Sequence, residues 1–580
     1  MGKKSWVILF VIVSLATLAL IHKDNFNTYF IRDDTVLIHG LYDKGPRFFA
    51  QLFVNDYVKY IWPWGPQDVW DGKGKGFIRP LLMISFRLDH LLYGTHPLGY
   101  HVTNVLLHFI NGLLVFLIVR FFTREGPLSF AAGLLFTVNP AHSEAVAWLS
   151  GRSESVAAIF YLASFYFFIR YRDGRRRTYY LLSLVFFLLS LFAKETPAVF
   201  PFLLVAYDAL QSYWQRPNAA PLLGYVRENI RKYAYSWAPY FGILAGWFLM
   251  RKITLGAFIG AYGGHMQVNL KAKLLAMLSC VRHALLASPF NHLDTEQYAN
   301  VMGLGALQPQ EPLHRFEIGI GGFYVALLLL PVLFVGARQL RYGRLLAVGA
   351  LWLCFTYPPV FFNLYIAAFY LYLIIPGLCF IVTACLFSLY GKKVALAISL
   401  VLCLAYAGYQ HQYTADWVHG GRLSRQIIQA ITEHAENFAE DDTVVLMDLP
   451  TNYKTAWVFE AFPEAALRKP LASSHLTDRF YIKVVSTETL RRMITPEAKD
   501  QIKMVLMENT DIPLLKFEEV RGLVKQEGKG LMVSVKDLQE KITAMKQQRP
   551  SRNLHILRWD AKSERLIKLA SLDEIFNEIT

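Results

Sequence analysis

Long apolar stretches separated by short polar loops fill the first 410 residues. The first runs from Ser5 to Ile21, and the later ones are roughly long enough to cross the hydrocarbon layer of a bilayer. The pattern predicts a polytopic α-helical membrane protein with about eleven transmembrane helices. After the first, the spans are expected near residues 100–121, 128–147, 155–171, 178–194, 197–212, 237–254, 317–337, 344–360, 366–389 and 393–410.

Two longer polar regions interrupt this pattern, and both are predicted to lie on the outer face. In the first, residues 22–99, apolar positions between Phe48 and Ile61 recur at helical spacing. A second surface helix is expected between Pro80 and Gly94, residues typical of a helix start and of a helix end. The other region, 255–316, contains an apolar but basic stretch at Leu270–Ala287, which we interpret as an interfacial helix.

The basic residues predict the orientation of the chain. Lys3 and Lys4 precede the first span, and no small-residue cleavage site follows it, so we interpret it as a retained helix rather than a signal peptide. Later basic clusters fall on alternate turns, as expected of cytoplasmic loops. This path places the amino terminus inside and the carboxyl-terminal region outside. The clusters are Arg120 with Arg124, residues 170–177, Arg227 with Arg231 and Lys232, Arg338 with Arg341 and Arg344, and Lys392 with Lys393.

Composition excludes several other classes of protein. The 580 residues are 54% apolar and only 18% charged, unlike an ordinary soluble protein. The formal charge of +15 comes largely from the short basic loops, which argues against nucleic-acid binding. The five cysteines lie in apolar or amphipathic stretches, so neither a disulfide framework nor a cysteine metal site is expected.

From about residue 411 the composition changes to that of a soluble domain. Leu423–Ala435 has the pattern of an amphipathic helix, and Thr443–Leu449 that of a buried strand. Further strands are expected at Leu531–Val535 and Ile556–Trp559. We therefore divide the chain into a membrane domain, 1–410, and a small α/β or α+β soluble domain, 411–580, facing the periplasm or its equivalent.

An acidic pair, Asp33 and Asp34, stands about ten residues after the first span. Carboxylates are costly to place at a membrane surface without a function, and one here could act as a general base. The alternative is structural, because aspartate is also a favoured N-cap for a helix through Val36 to Leu41.

Other ionisable residues concentrate at the outer ends of the predicted spans. Arg79 lies late in the first loop, and His101, Asn104 and His108 are spaced to share one helical face. Structural alternatives stay open: His142 and Glu144 could orient a tight turn, and Lys194 with Glu195 could form a local ion pair. Two histidines without a carboxylate at ligand spacing do not predict a metal site, and no nucleotide loop is present, so neither metal nor cofactor is expected. The remaining candidates are Arg152 and Arg251.

Three blocks of sequence resemble a known family, the transmembrane O-mannosyltransferases that carry tetratricopeptide repeats, together with their bacterial relatives. These proteins belong to the C-type (GT-C) class of integral-membrane glycosyltransferases. The resemblance covers about residues 25–210 and extends more weakly through Tyr365 to Pro376. Two features depart from it: the tail has no such repeats, and Phe369 stands where an arginine is expected. The blocks are FIRPLLMISFRLDHLLYGTHPLGYHVTNVLLH, LLFTVNPAHSEAVAWLSGRSESVAAIFYL and LSLFAKETPAVFPFLLVAYD.

The resemblance implies an inverting glycosyltransferase that passes a monosaccharide, with mannose as the leading candidate, from a polyprenyl-phosphate carrier to an acceptor hydroxyl on a protein or glycan. Asp34 or Asp33 would be the base; Arg79, Arg152, Lys194 and Arg251 would bind the donor phosphate; His142, Glu144, Glu195 and His101 would contact sugar or acceptor. A bacterial inner membrane is the expected location. The alternatives are a transporter or flippase of lipid-linked glycans and an inactive glycan-binding or assembly protein. The sugar, the acceptor and the choice between the two aspartates stay open.

Overall fold

The computed structural model describes residues 3–56, 76–215, 222–258, 340–361 and 368–440, and beyond them the segments 442–450, 452–454, 456–458, 463–472, 476, 481–485, 524–527, 530–533 and 554–569. The predicted interfacial helix at Leu270–Ala287 and the predicted span at 317–337 lie outside these residues. Contacts group the chain into two units. The first is Met1–Asn27 with Asp43–Trp417, and the second is Thr28–Tyr42 with Val418–Thr580.

Helices dominate the first unit, and they are numbered here in chain order over both units. Most begin or end close to the polar loops that the sequence predicts. They are α1 Lys3–Ile21, α2 Asp33–Leu41 (second unit), α3 Pro46–Gln51, α4 Pro80–Tyr93, α5 Pro97–Thr123, α6 Gly126–Thr137, α7 Ser143–Ala147, α8 Arg152–Gly174, α9 Arg177–Ala193, α10 Phe200–Gln215, α11 Leu222–Leu255, α12 Gly343–Thr356, α13 Pro358–Phe361, α14 Ile375–Leu389, α15 Lys392–Ala435, which continues into the second unit, and α16 Pro463–Ala466 (second unit).

Three of the described helices are long and apolar enough to cross a membrane: Lys4–Ile21, Pro97–Thr123 and Lys392–Ala435. Four shorter apolar helices, α6, α9, α12 and α14, have 12 to 17 residues. The described chain is therefore mostly helical, with apolar helices suited to a bilayer. The predicted number of about eleven spans stays a prediction.

The predicted span at 128–147 is broken in the structure. Helix α6 ends at Thr137, because Pro140 has no N–H and the Asn139 side chain accepts a hydrogen bond from the N–H of Ala141 at 3.0 Å. A 3-10 turn and the short helix α7 follow. The expected span at 366–389 is likewise divided, into a 3-10 turn at Ala368–Leu371 and α14.

Two further predictions concern helix ends. The helix expected between Pro80 and Gly94 is confirmed as α4, with Gly94 at a φ of 59°, which glycine adopts easily, and its place at the membrane surface stays a prediction. Residues Leu423–Ala435 are helical, as predicted, but they continue the last apolar span within the 44-residue helix α15. No proline lies between Lys392 and Ala435 to end that helix.

Helices α12 and α14 cross at two glycines. A Cβ atom added to Gly349 would lie 2.8 Å from the carbonyl oxygen of Gly377, and one added to Gly377 would lie 3.0 Å from the carbonyl oxygen of Gly349. Small residues at such crossings let two helix backbones approach closely.

The second unit contains a four-stranded sheet in the order β4-β1-β7-β8. Strand β1 pairs in parallel with both β4 and β7, and β8 pairs antiparallel with β7. Apolar residues of the distal part of α15, including Leu423, Ile427 and Ile431, form one buried cluster with side chains of β1 and β7. The strands are β1 Thr443–Met447, β2 Asn452–Tyr453, β3 Ala456–Trp457, β4 Tyr481–Val485, β5 Val524–Glu527, β6 Gly530–Val533, β7 Leu554–Asp560 and β8 Arg565–Leu569.

The segment Thr28–Tyr42 belongs to this second unit, whereas the sequence places it in the first loop of the membrane domain. The N–H of Arg32 donates to the carbonyl of Val458 at 3.3 Å. The Ser424 hydroxyl donates to the carbonyl of Phe30 at 2.8 Å. Buried apolar side chains on both sides of the acidic pair, such as Phe30 and Val36, add to this attachment. The division at residues 410 and 411 stays a prediction.

Gly349→Ala should lower the thermal unfolding temperature of the purified protein, because the new methyl group would displace backbone on α14, at a cost of about 1–3 kcal/mol. Gly246→Ala is the matched control: it also lies within a helix, but a Cβ there has no neighbour within 4 Å. Equal unfolding temperatures for the two variants would contradict the close crossing.

Candidate functional site

A cluster of ionised side chains joins three helix ends of the first unit. Arg79 precedes α4, Glu195 follows α9, and Arg251 lies near the end of α11. The Arg79 guanidinium donates to Glu195 Oε2 from Nη2 at 2.7 Å and from Nε at 3.2 Å. Arg251 Nη1 donates to Glu195 Oε1 at 3.3 Å. One carboxylate therefore holds two guanidinium groups that lie 172 positions apart in the chain.

Electrostatics keep Glu195 ionised. Burial alone would raise the pKa of this carboxyl, but the guanidinium groups of Arg79 and Arg251 lower it to about 2. The Glu195 side chain is 26% exposed, whereas Arg79 and Arg251 are 9% and 2% exposed. Glu195 is therefore the most exposed side chain of these three.

A second ion pair adjoins the first. Lys194 Nζ donates to Glu154 Oε1, and both side chains are buried. The Lys194 ammonium also lies 4.8 Å from the ring centroid of Tyr370 and 5.2 Å from that of Phe369, within cation–π range. Together with the Glu195 cluster this gives three cations and two directly paired carboxylates, and the carboxylate of Asp56 also acts on Arg251.

Arg152 does not join these residues. Its guanidinium is fully buried and pairs with Asp89 of α4, and its Nη2 donates to the carbonyl of Tyr100 at 3.0 Å. The Thr103 hydroxyl donates to the other carboxylate oxygen of Asp89 at 2.7 Å. Burial raises the pKa of Asp89, and Arg152 and Thr103 oppose that rise. Arg152 therefore fastens α4 to α5 and α8.

The polar face of α5 binds the broken stretch after α6. Asn104 Nδ2 donates to the carbonyls of Val146 at 3.1 Å and Trp148 at 3.2 Å. His108 Nε2 donates to the carbonyl of Thr137 at 2.9 Å. These side chains satisfy carbonyls that a continuous helix would have satisfied itself.

Three of the candidate residues for contacting the sugar or acceptor, His101, His142 and Glu144, are buried. His101 accepts a hydrogen bond at Nδ1 from Asn25 Nδ2 at 3.1 Å. The His142 ring packs on Tyr372, with ring centroids 4.4 Å apart. Glu144 Oε2 accepts from the backbone N–H of Phe369 at 3.1 Å. Phe369, which stands where an arginine was expected, thus donates its backbone N–H to Glu144, and its ring lies beside Lys194.

The acidic pair lies in the second unit, and its two members differ. Asp34 is 1% exposed, and its Oδ2 accepts from the N–H of Ile31 at 3.2 Å. The Asp33 side chain is 43% exposed, with Arg32 Nε 3.9 Å away. Despite this exposure, nearby protein atoms desolvate the Asp33 carboxyl and raise its pKa, which Arg32 partly offsets.

Sequence reasoning assigned no role to Glu154 or Asp89, which pair with Lys194 and Arg152. For Glu154 a signal existed, because it stands two positions after Arg152 at the outer end of a predicted span. For Asp89 the sequence contains no signal beyond a charged residue on a surface helix. In the described part of the chain, no group of three or more His, Cys, Asp or Glu side chains is arranged to hold a metal ion. The expected absence of a metal stays a prediction.

Comparisons with known proteins support the resemblance stated from the motifs. No protein-family model matches the chain. The protein O-mannosyl-transferase Tmtc1 of Drosophila melanogaster is 38% identical over 180 residues, 30% of this chain and 20% of the relative. The human protein O-mannosyl-transferase TMTC2 is 33% identical over 165 residues, 28% of this chain and 19% of the relative. The chain thus spans about a fifth of the length of these curated relatives.

Among solved structures, ArnT from Cupriavidus metallidurans bound to undecaprenyl phosphate is 12% identical, with a TM-score of 0.44, covering 89% of this chain and 97% of that one. The archaeal oligosaccharyltransferase AglB from Archaeoglobus fulgidus, in complex with an inhibitory peptide and a dolichol-phosphate, is also 12% identical. Its TM-score is 0.43, and the match covers 76% of this chain and 62% of that one.

Asp89→Asn should strongly destabilise the protein, because it leaves the fully buried Arg152 without an ionised partner, at a cost of about 3–5 kcal/mol. Thermal unfolding in detergent measures this. Glu125→Gln is the control, since Glu125 pairs with the largely exposed Arg341 and Lys392 and should change stability by about 1 kcal/mol or less. A melting temperature for Asp89→Asn equal to that of Glu125→Gln would contradict a supporting role for Arg152.

Proposed function

We propose that this protein is an integral-membrane glycosyltransferase that moves a monosaccharide from a polyprenyl-phosphate carrier to an acceptor hydroxyl at the outer membrane face. The cluster of Arg79, Glu195, Arg251 and Lys194 carries the proposal, because it gathers three largely buried cations, two of which, Arg79 and Lys194, lie in motifs shared with O-mannosyltransferases. Mannose and a protein acceptor are the favoured choices, following the names of the relatives.

The chemical step requires a base for the acceptor. The acceptor oxygen attacks the anomeric carbon as the bond from that carbon to the phosphate oxygen breaks, which inverts the configuration. The hydroxyl proton passes to a carboxylate. We assign this role to Asp33 rather than Asp34, because Asp34 Oδ2 is occupied by the N–H of Ile31, whereas Asp33 is partly exposed. The raised pKa of Asp33 also makes it a stronger base than an ordinary aspartate.

The departing group is a lipid phosphate that gains negative charge as the bond breaks. Arginine and lysine side chains offset such charge best where water is partly excluded. Arg79, Arg251 and Lys194 meet this requirement, since all three are largely buried and linked through Glu195 and Glu154. Arg152 supports the fold instead, because Asp89 and the carbonyl of Tyr100 bind its guanidinium.

The aromatic side chains of Phe369 and Tyr370 pack beside Lys194 and are largely buried, so in our proposal the sugar contacts only the part that they leave exposed. Tyr370 and Phe369 lie with their ring centroids 4.2 Å apart. Aromatic faces pack well against the apolar faces of sugar rings, and the neighbouring carboxylates accept hydrogen bonds from hydroxyl groups. Glu144 supports Phe369 by accepting from its backbone N–H, His142 packs on Tyr372, and His101 accepts from Asn25.

Asp33→Asn should reduce sugar transfer at least about 100-fold while leaving the unfolding temperature unchanged, because it removes the base without removing a structural hydrogen bond. Asp34→Asn should keep most of the activity, since an amide oxygen can still accept from the N–H of Ile31. Release of radiolabelled sugar from a polyprenyl-phosphate donor measures both, with Asp24→Asn as an exposed-carboxylate control from the same loop. Full transfer by Asp33→Asn would refute its assignment as the base.

Arg251→Gln should raise the KM for the polyprenyl-phosphate donor about tenfold or more, as expected for loss of a charge-assisted hydrogen bond. Glu195 would keep its partner Arg79, so the fold should persist. Lys252→Gln is the matched control, because it removes the same charge from the next, exposed position. If both variants have the same donor KM, the phosphate-binding role of Arg251 is wrong.

A further inference from the structure

The first unit contains a second charged region, a cavity of about 250 Å³. It is bounded by the ends of α5, α8 and α10 and by the early part of α11 and the start of α12. Its walls are polar for the most part, unlike the apolar pockets that bind hydrophobic molecules. Its principal lining residues are Arg124, Arg172, Arg175, Arg344, Tyr207 and Tyr233.

This cavity lies at the opposite ends of the helices that carry the proposed transfer site. Helix α8 begins at Arg152, next to Glu154, and reaches the cavity at Arg172. Helix α9 runs the other way and ends beside Lys194. A helix of 23 residues is about 34 Å long, close to the hydrocarbon thickness of a bilayer. The cavity therefore belongs to the other membrane surface.

Arg172 is the central residue of the cavity. Its Nε donates to Asp208 Oδ1 at 2.9 Å, and its Nη2 donates to the Ser236 hydroxyl at 2.7 Å. The side chain is 91% buried, and its Nη1 has no hydrogen-bond partner among the described residues. Leaving a buried guanidinium donor unsatisfied is costly, so this atom calls for an acceptor.

Asp208 cannot supply that acceptor. Both of its oxygens already bind Arg172, and Oδ2 also accepts from Trp237 Nε1 at 2.7 Å. Among the described residues, the cavity walls carry four arginines against two aspartates, Asp173 and Asp208, which leaves two uncompensated positive charges. In the described part of the chain, Arg124 and Arg344 have no carboxylate partner within ion-pair distance. The missing acceptor should therefore be an anion.

We propose that this cavity binds a phosphate group, with Arg172 Nη1 as its buried donor and Arg124, Arg175 and Arg344 as its outer cations. Arginine suits this role because its planar donors match phosphate oxygens. The phosphate belongs either to the headgroup of an anionic phospholipid or to a free phosphate anion. Basic pockets between membrane helices on the cytoplasmic side are a known means of binding lipid headgroups.

Native mass spectrometry of the full-length protein tests the lipid source. Delipidated protein is incubated with phosphatidylglycerol or, separately, with phosphatidylcholine of the same acyl chains, and bound lipid is counted. In a second arm, the unfolding temperature is measured with inorganic phosphate or with chloride at equal ionic strength. Wild-type protein should retain phosphatidylglycerol over phosphatidylcholine, or should be stabilised by phosphate over chloride. Lipid retention alone identifies a headgroup, and stabilisation by phosphate alone identifies a free anion.

The variant Arg124→Gln with Arg344→Gln should weaken this binding about tenfold, because two surface cations are lost. The matched control, Arg176→Gln with Lys393→Gln, removes the same charge from exposed positions outside the cavity walls and should bind as wild type does. Arg172→Lys keeps the positive charge beside Asp208 but removes Nη1, and should also bind less. Equal binding by the cavity variant and its control, or no preference for either anion in wild type, would overturn the proposal.

Discussion

The first unit depends on how it satisfies the backbone carbonyls that become free where the chain breaks between Thr137 and Arg152. A continuous helix would satisfy these groups within itself, and lipid offers no replacement donor. Asn104 and His108 on α5 supply the donors instead. Because the broken stretch is bound in this way, the residues that follow it at the start of α8, including Glu154, have fixed positions.

In the Glu195 cluster the two guanidinium groups are buried, whereas the carboxylate that binds them stays partly exposed. Both guanidinium groups bind the one carboxylate of Glu195, so each arginine has an ionised partner in a low-dielectric environment. Three cations, Arg79, Arg251 and Lys194, thus lie together with Glu195, Glu154 and the nearby Asp56. This arrangement suits a reaction whose leaving group is a phosphate, because the positive charge is in place before the bond breaks.

The described residues at the other ends of these helices carry an excess of positive charge. At these ends Arg172 pairs with Asp208, which also accepts a hydrogen bond from Trp237. Nη1 of Arg172 has no hydrogen-bond partner among the described residues. At the proposed transfer site, by contrast, the partly exposed group is the carboxylate of Glu195. We therefore propose different functions for the two ends, chemistry at one and retention of an anion at the other.

Pro80 and Gly94 were enough to predict the two ends of helix α4, because each residue constrains the conformation of its own backbone. The helix after α6 and the length of α15 were not predicted well, since apolar periodicity does not report where a span breaks or continues. The motifs identified Arg79, Lys194, Glu195 and Arg251 as candidates, but only the tertiary structure could pair them.

The sequence by itself determined that the chain forms apolar helices with charged residues at their ends, because hydropathy and charge are properties of single residues and their neighbours. Only the tertiary structure decided which charges face each other. Arg152 and Lys194 look alike in the sequence, yet the former binds Asp89, 63 positions away, and the latter lies beside Tyr370. Asp33 and Asp34 are adjacent, but the first turn of α2 directs only one of them onto the backbone, because successive residues in a helix point to different sides.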